Sequence, residues 1–320
     1  MRGITNKKID VADLIDRFLA YAENDYLTRQ PANLRSGLSK LQRWAGDLPA
    51  AEFRALALRD FRDALVKGEL SDSELSREYV NRVIRFVKQA WKWAVSMELL
   101  PTDAYQVLCT VDPLKEGRTT APEREPVEPV EPERVYAILD ELTEDMRDIL
   151  RLMMLTGART GEIRQMISGD IDMDRDDGYW ALVPGLYKPE DGQRVLHKTR
   201  HHGKVRAIPL DAECQKILMR RVNPFIPRCV VFPSPRTGGF YGKGSVYTAV
   251  KRACERLGAP HFHPHQIRHH VLDKIEKHAS IGDAQALAGH SSIDTTKRYT
   301  TLNLDPAIRG MQALRRAGAP

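Results

Sequence analysis

The sequence predicts two domains: an all-α helical bundle, followed by a mixed α+β, mainly helical domain with a small antiparallel sheet. Three observations predict this fold class. The chain has 320 residues, which is long for a single domain. Residues 112–131 are rich in proline and charge and divide it. Strand patterns occur only in the middle of the second part, whereas helical periodicity occurs in both.

The composition indicates a soluble globular protein, since 42% of its residues are hydrophobic and 29% are charged. No apolar run reaches the length of a membrane span, and MRGITNKKID lacks the apolar centre of a signal peptide, so we expect a cytoplasmic protein. The four cysteines form no CxxC pair, which argues against disulfides and a thiolate zinc site. The net charge of +6 fits a polyanionic partner without requiring one.

The first predicted domain spans residues 1–111 and contains only helical patterns. Apolar residues recur at helical spacing at residues 9–24, 33–45 and 58–66. A fourth, longer helix is predicted to open after Ser71 or Ser73 as its N-cap and to end near Leu99, just before a proline.

The long fourth helix has an apolar face and a basic face. The apolar arc, which we expect in the core, comprises Val80, Val83, Ile84, Val87, Trp91, Ala94 and Val95. The opposite arc carries the cations Arg82, Arg85, Lys88 and Lys92. Such a face can follow a phosphate backbone, so we predict a DNA-binding surface, with an ordinary solvated face as the alternative.

Residues 112–131, DPLKEGRTTAPEREPVEPVE, are predicted to be an inter-domain linker. Their prolines favour an extended, stiff chain, and few apolar residues are available for a core. The PVEP repeat would also suit a polyproline ligand for another protein, but a spacer is the favoured interpretation.

The second predicted domain spans residues 132–320. Helices are expected near residues 132–142 and 144–155, with Gly157 as the C-cap of the latter and Thr160 as the N-cap of a short helix. Strands are predicted at residues 179–183, 194–198 and 205–210, the last two joined by the turn KTRHHGK. Further helices are predicted at residues 211–221, 245–257, 266–278, 283–287 and 292–300, followed by an amphipathic tail helix at 306–317.

Two motifs of this domain could converge on an anion. Arg159 follows a glycine turn and precedes Glu162, where a surface salt bridge is the default interpretation. His265 and Arg268 lie three residues apart and share a helix face. A zinc site is the alternative for the cluster His261, His263, His265 and His269. We disfavour zinc because no carboxylate or cysteine lies nearby and a proline interrupts the run.

Two further candidates are Lys198, on or beside a strand turn, and the stretch GHSSIDTTKRY, residues 289–299. This stretch places His290 and Tyr299 on either side of a hydroxyl-rich helix start. Taken alone, Tyr299 is better explained as a packed aromatic residue whose hydroxyl has found a partner.

In their order along the chain these motifs resemble the tyrosine recombinases, also called phage-type integrases. The resemblance rests on TGART with a glutamate three residues later, a lysine on a hairpin ahead of an IPL strand, PHQIRH and GHSSIDTTKRY. It covers the whole second domain, and the first resembles the family's SAM-like core-binding domain. It implies a site-specific DNA recombinase that works through a 3′-phosphotyrosyl intermediate without metal, ATP or other cofactor.

The resemblance also assigns roles. It makes Tyr299 the nucleophile, Arg159 and Arg268 the phosphate clamps, His290 a further phosphate ligand, His265 the proton acceptor and Lys198 the general acid. Two arginine forks can neutralise the charge that builds on a phosphate in the transition state. Lys204 competes with Lys198, because the segment between that lysine and the IPL strand is a few residues longer than in many relatives.

The partners that the resemblance implies are double-stranded DNA and further copies of the chain, as a tetramer on two DNA sites. No membrane, small-molecule substrate or separate arm-binding module is expected. The tail helix is expected on a neighbouring subunit or on its own domain. The rival functions are a type IB topoisomerase that relaxes DNA, and a DNA-binding regulator that has lost the reaction.

Overall fold

The computed structural model describes residues 9–25, 30–125, 127–187, 206–279, 281–288 and 305–318. The chain divides into two units, Met1–Pro126 and Val127–Pro320. Each unit has its own large cluster of buried apolar side chains. Lys198, Lys204, His290 and Tyr299 lie outside the described residues, as do the predicted strand at 194–198 and the predicted helix at 292–300.

The described part of the first unit is helical. Its helices are α1 (Val11–Asp25), α2 (Gln30–Ala45), α3 (Ala55–Val66), α4 (Arg77–Ser96) and α5 (Thr102–Cys109). The predicted start of α4 was wrong. The N-cap is Ser76, whose hydroxyl accepts the Tyr79 N–H at 3.4 Å, and not Ser71 or Ser73. Helix α5 was not predicted, because it is only two turns long and follows a proline.

The apolar face of α4 forms the centre of the first core, as its periodicity predicted. Six of the seven predicted core residues are buried, and Val95 is half-buried at the end of the arc. Trp91 is fully buried, and its indole N–H donates to the Ala50 carbonyl at 3.2 Å. Truncating a buried tryptophan to alanine costs about 3–5 kcal/mol, so this residue alone accounts for a large share of the unit's stability.

The proline-rich stretch is held from both of its ends. Within the first unit the Arg77 N–H donates to the Pro122 carbonyl at 3.0 Å, and the Asn81 amide donates to the Leu114 carbonyl at 3.0 Å. Within the second unit Val130 is 1% exposed and belongs to the core. A linker of residues 112–131, with domains at 1–111 and 132–320, stays a prediction.

The second unit is mainly helical with a small antiparallel sheet, as predicted. Its helices are α6 (Pro132–Ala137), α7 (Glu144–Thr156), α8 (Thr160–Arg164), α9 (Ala212–Leu218), α10 (Ser245–Leu257), α11 (Pro264–His278), α12 (Ile281–Ala288) and α13 (Asp305–Arg316). The described strands, β1 (Ile171–Asp172), β2 (Trp180–Leu182) and β3 (Ile208–Leu210), pair in the order β1-β2-β3. Strand β1 was not predicted, since two residues are too few to show an alternating pattern.

Helix α7 lies at the centre of the second core and positions the candidate site. Its residues from Ile149 to Thr156 are buried except Arg151, and it packs against α8, α9, α11 and β3. The helix ends at Gly157, whose φ of 63° confirms the predicted C-cap. The predicted cap of α8 was wrong: Arg159 is its N-cap, and the Thr160 hydroxyl instead donates to the Met153 sulfur at 3.6 Å.

The tail helix α13 packs on α11 and α12 of its own unit. Its residues Ala307, Met311 and Leu314 are buried there. The Arg315 guanidinium donates to Asp211 at 2.7 Å, and this carboxylate also caps α9. Among the helices of the described ranges, none combines the length and the apolar character that crossing a membrane requires.

Candidate active site

The site begins at the turn after α7. Gly157 adopts a left-handed conformation that costs other residues about 1–2 kcal/mol, so glycine suits this position. A Cβ added there would lie 2.9 Å from the Val271 Cγ1 of α11, so the turn and α11 are in close contact. The tight turn brings Arg159, two residues later, beside this helix.

Arg159 is held by Glu162, one turn further along α8. The Glu162 carboxylate accepts the Arg159 backbone N–H at 2.7 Å and the Arg159 Nη1–H at 2.9 Å. The Glu162 side chain is only 2% exposed, whereas that of Arg159 is 32% exposed. The buried carboxylate therefore holds one side of the guanidinium, and the other side stays exposed to solvent.

Arg268 reaches the same turn from α11. It is 2% exposed, and its Nη1 donates to the Gly157 carbonyl at 2.6 Å. Burial, followed by the positive charges of Arg159 and Arg206, lowers the pKa of Arg268 to about 10. The side chain is still protonated at neutral pH. An anion bound at this turn would raise its pKa, because a nearby negative charge favours the protonated form.

Arg206, two residues ahead of β3, is a member of the cluster that the sequence motifs did not reveal. Its side chain is 4% exposed, its Nε lies 3.4 Å from the Glu162 Oε1, and its Nη1 donates to the Ala286 carbonyl of α12 at 3.3 Å. Burial lowers its pKa, and Glu162 opposes that effect. The available signal was a cation next to the apolar strand residues AIPL, where a charge needs a partner.

Three guanidinium groups thus lie around the turn after α7. Arg159 and Arg206 contact the buried Glu162 carboxylate, and Arg268 donates to the Gly157 carbonyl. Guanidinium groups bind phosphate and carboxylate oxygens through paired N–H donors. The described cluster therefore has donor groups suited to a phosphate oxygen, with part of the Arg159 guanidinium exposed.

His265 lies on the first turn of α11, one turn before Arg268. It is exposed, and its ring meets the His269 ring edge-on with centroids 4.9 Å apart. His261 and His263 pack instead with Tyr247, with ring centroids 5.0 Å and 4.9 Å from it. Within the described ranges, no three His, Cys, Asp or Glu side chains are grouped to hold a metal ion.

The remaining predicted site residues lie just beyond described elements. Helix α12 ends two residues before His290, and α13 begins six residues after Tyr299. Lys198 precedes Arg206 by eight residues. The structure therefore brings Arg159 and Arg268 together, and the positions of the other three residues stay predictions.

The four cations of the basic face of α4 differ in their surroundings. Arg82, Arg85 and Lys92 are exposed, and the Arg82 guanidinium lies 5.0 Å from the centroid of the Tyr79 ring. The Lys88 ammonium is half-buried and donates to the Val111 carbonyl at 2.6 Å. Lys88 therefore has a structural contact within the first unit, which helix periodicity alone does not reveal.

The fold and the site define a class of protein: a mainly helical, basic chain whose second unit gathers three arginines at one turn. Comparison with known proteins gives the family. The phage integrase family model matches residues 127–305, so the chain belongs to that family, and the resemblance drawn from the motifs is confirmed.

Individual relatives agree with this assignment. Tyrosine recombinase XerC of Pseudomonas putida strain F1 is 25% identical over 306 residues, 90% of this chain and 91% of the relative. XerC of Bifidobacterium longum subsp. infantis is 27% identical over 175 residues, 49% of this chain and only 43% of that relative. A lambda integrase tetramer bound to a Holliday junction has the same fold, with a TM-score of 0.60 at 18% identity, covering 91% of this chain and 81% of that one.

Proposed function

We propose that the protein is a site-specific DNA recombinase that cuts and rejoins duplex DNA through a 3′-phosphotyrosyl intermediate. The observation that carries this proposal is the cluster of Arg159, Arg206 and Arg268 at the turn after α7, within the residues that the phage integrase family model matches. A scissile phosphodiester is an anion, and its charge grows during attack. The positive charges of these arginines stabilise the bound phosphodiester and, more strongly, its transition state.

The arginines act by stabilising the transition state. A phosphodiester resists attack because its oxygens repel a nucleophile, and fixed guanidinium donors remove that repulsion without reorganising. Arg159 presents the exposed part of its guanidinium, while Arg268 is held on the Gly157 carbonyl. Binding of the phosphate raises the pKa of Arg268 back toward its ordinary value, because a negative charge then faces it.

The covalent step is assigned to Tyr299. Its phenol attacks the phosphorus, its proton passes to His265, and the 5′ oxygen leaves with a proton from Lys198, with Lys204 as the competing donor. His290 adds a further phosphate ligand. The phosphotyrosyl bond conserves the energy of the broken linkage, so rejoining to another 5′ hydroxyl needs no ATP.

The proposed partners are double-stranded DNA and three further copies of the chain, assembled as a tetramer on two DNA sites. The exposed cations Arg82, Arg85 and Lys92 of α4 support a DNA-binding face on the first unit. The solved lambda integrase tetramer on a Holliday junction supports the stoichiometry by analogy. We propose the cytoplasm as the location, and a mobile genetic element as the genetic context. Integration, excision, transposition and dimer resolution share this chemistry.

The test begins by finding the DNA site. The protein is incubated with fragmented genomic DNA of its host and denatured, and the protein-linked ends are sequenced. The site is then built into a nicked suicide duplex, on which we expect a denaturant-resistant protein–DNA band that is absent with Tyr299→Phe. A band that persists in that variant contradicts the assignment.

A second assay separates recombination from DNA relaxation. Two sites on one supercoiled plasmid should give recombinant products whose size depends on the orientation of the sites. Relaxed plasmid without recombinants would identify a topoisomerase. Specific binding without any adduct would identify a regulator that has lost the reaction.

A further inference from the structure

Arg206 is buried in the second unit, and the reaction steps proposed above give its side chain no individual role. Its side chain is 4% exposed. Taking a cation out of water is costly unless its partners are well placed, and removing one partner of a buried ion pair typically costs about 3–5 kcal/mol. The position of this charge therefore needs a physical reason.

The contacts of Arg206 connect two catalytic segments. Its Nε lies 3.4 Å from the Glu162 Oε1, the same oxygen that accepts the Arg159 Nη1–H at 2.9 Å. Its Nη1 donates to the Ala286 carbonyl at 3.3 Å. Ala286 lies on α12, which ends two residues before His290. One guanidinium thus joins the clamp of Arg159 to the helix that leads to the predicted phosphate ligand.

We propose that Arg206 is a positioning residue that aligns Arg159, through Glu162, with the end of α12. The proposal rests on the proposed function, since it concerns the same phosphate site. Arg206 contacts the Glu162 oxygen that orients the Arg159 guanidinium. Its hydrogen bond to the Ala286 carbonyl holds α12 beside the same group. In the proposed reaction Arg159 and Arg268 hold the phosphate, whereas Arg206 acts through Glu162.

The chain offers a matched control in Arg164. This arginine is also buried, lies on α8 and donates to the Tyr241 carbonyl, and burial lowers its pKa as it does that of Arg206. Arg164 therefore matches Arg206 in residue type and burial, but its hydrogen bond goes to the Tyr241 carbonyl and not to Glu162. Loss of Arg206 should therefore disturb Arg159, and loss of Arg164 should not.

The first experiment compares Arg206→Met with Arg164→Met without DNA, by amide hydrogen exchange. Loss of Arg206 should speed exchange in both α8 and α12, residues 160–164 and 281–288. Loss of Arg164 should leave α12 unchanged. Equal exchange of α12 in the wild type and in Arg206→Met would overturn the proposal, whatever the activity of the protein.

The second experiment measures single-turnover adduct formation on the suicide duplex. Misplacing a clamp by about 1 Å costs about 100-fold, so Arg206→Met should be slowed by about that factor, and Arg164→Met should keep a rate near that of the wild type. Arg206→Lys should lie between, because an ammonium can pair with Glu162 but cannot also fork to Ala286. Equal slowing of the two methionine variants would contradict the proposal, because it would show that Arg206 contributes only to the stability of the fold.

The third experiment tests the route through Arg159. In an Arg159→Ala background, adding Arg206→Met should slow adduct formation by less than about threefold, since its target is already gone. An undiminished, multiplicative loss would contradict positioning through Arg159. If the wild type forms no adduct but the hydrogen-exchange results are as expected, the proposed function is wrong. The proposal that Arg206 links Glu162 to α12 is still supported in that case.

Discussion

Replacing Gly157 by alanine should destabilise the second unit by more than its backbone conformation alone would cost. Gly157 has a φ of 63°, and an added Cβ would lie 2.9 Å from the Val271 Cγ1 and 3.4 Å from the Val271 Cβ. Val271 is 1% exposed and packed, so it cannot move aside freely. The substitution therefore adds a steric clash to backbone strain.

The magnitude follows from these two contributions. The left-handed conformation costs alanine about 1–2 kcal/mol. Overpacking a close-packed contact costs about 1–3 kcal/mol more. The total of about 2–5 kcal/mol corresponds to a fall in melting temperature of about 4–20 °C for a unit of this size.

Gly258→Ala is the matched control. Gly258 is also a helix C-cap, with a φ of 60°, but an added Cβ there meets nothing within 4 Å. Only the backbone cost of about 1–2 kcal/mol remains, which lowers the melting temperature by about 2–8 °C. Thermal unfolding followed by circular dichroism measures both variants.

The two variants should also differ in activity. The Gly157 carbonyl accepts the 2.6 Å hydrogen bond from Arg268, so a shifted turn displaces a phosphate clamp. Gly157→Ala should slow adduct formation per folded molecule, and Gly258→Ala should not. Equal losses of melting temperature for both glycines would refute the steric argument.

Three further predictions concern charges. Glu162→Gln leaves the buried Arg206 without its counter-ion, so urea titration should show a loss of about 3–5 kcal/mol. Burial lowers the pKa of the His270 imidazole below 6.5 in the folded protein. Its contribution to folding stability is therefore complete above pH 6.5 and is lost as the pH falls through the pKa of the folded state. The melting temperatures measured at about pH 7.5 and about pH 5 should lie closer together in His270→Gln than in the wild type. Lys88→Met should lower stability by losing the Val111 contact, whereas Arg85→Met should weaken DNA binding and reduce its salt slope by about one.

Local patterns predicted the helical elements well. The apolar arc of α4, the C-cap at Gly157 and the limits of α10 depend on residues within one or two turns of each other, which the sequence displays directly. Caps were harder to predict, since several serines precede α4 and only the folded chain shows that Ser76 makes the bond. Arg159 and Arg268 were predicted from local motifs, and both lie at the turn after α7, while their roles as phosphate clamps stay predictions.

Tertiary pairing could not be predicted from spacing. Glu162 and Arg206 are 44 residues apart, and their contact depends on how β3 lies against α8. Lys198 and Lys204 were predicted as candidate general acids, whereas Arg206, at the end of the predicted hairpin, was not predicted as a site residue. Lys88 was predicted to lie on a phosphate-binding face because helix geometry places it beside Arg85 and Lys92. Its hydrogen-bond acceptor, the Val111 carbonyl, lies 23 residues later in the chain, so helix geometry could not predict that contact.

The most direct test of the central claim is to identify the residue that becomes linked to DNA. The trapped adduct is digested with nuclease and trypsin, and the peptides that carry a nucleotide are sequenced by mass spectrometry. We expect the nucleotide on Tyr299, in the peptide that follows Arg298. A nucleotide on any other residue, such as Tyr241 or Tyr247, would contradict the proposed mechanism.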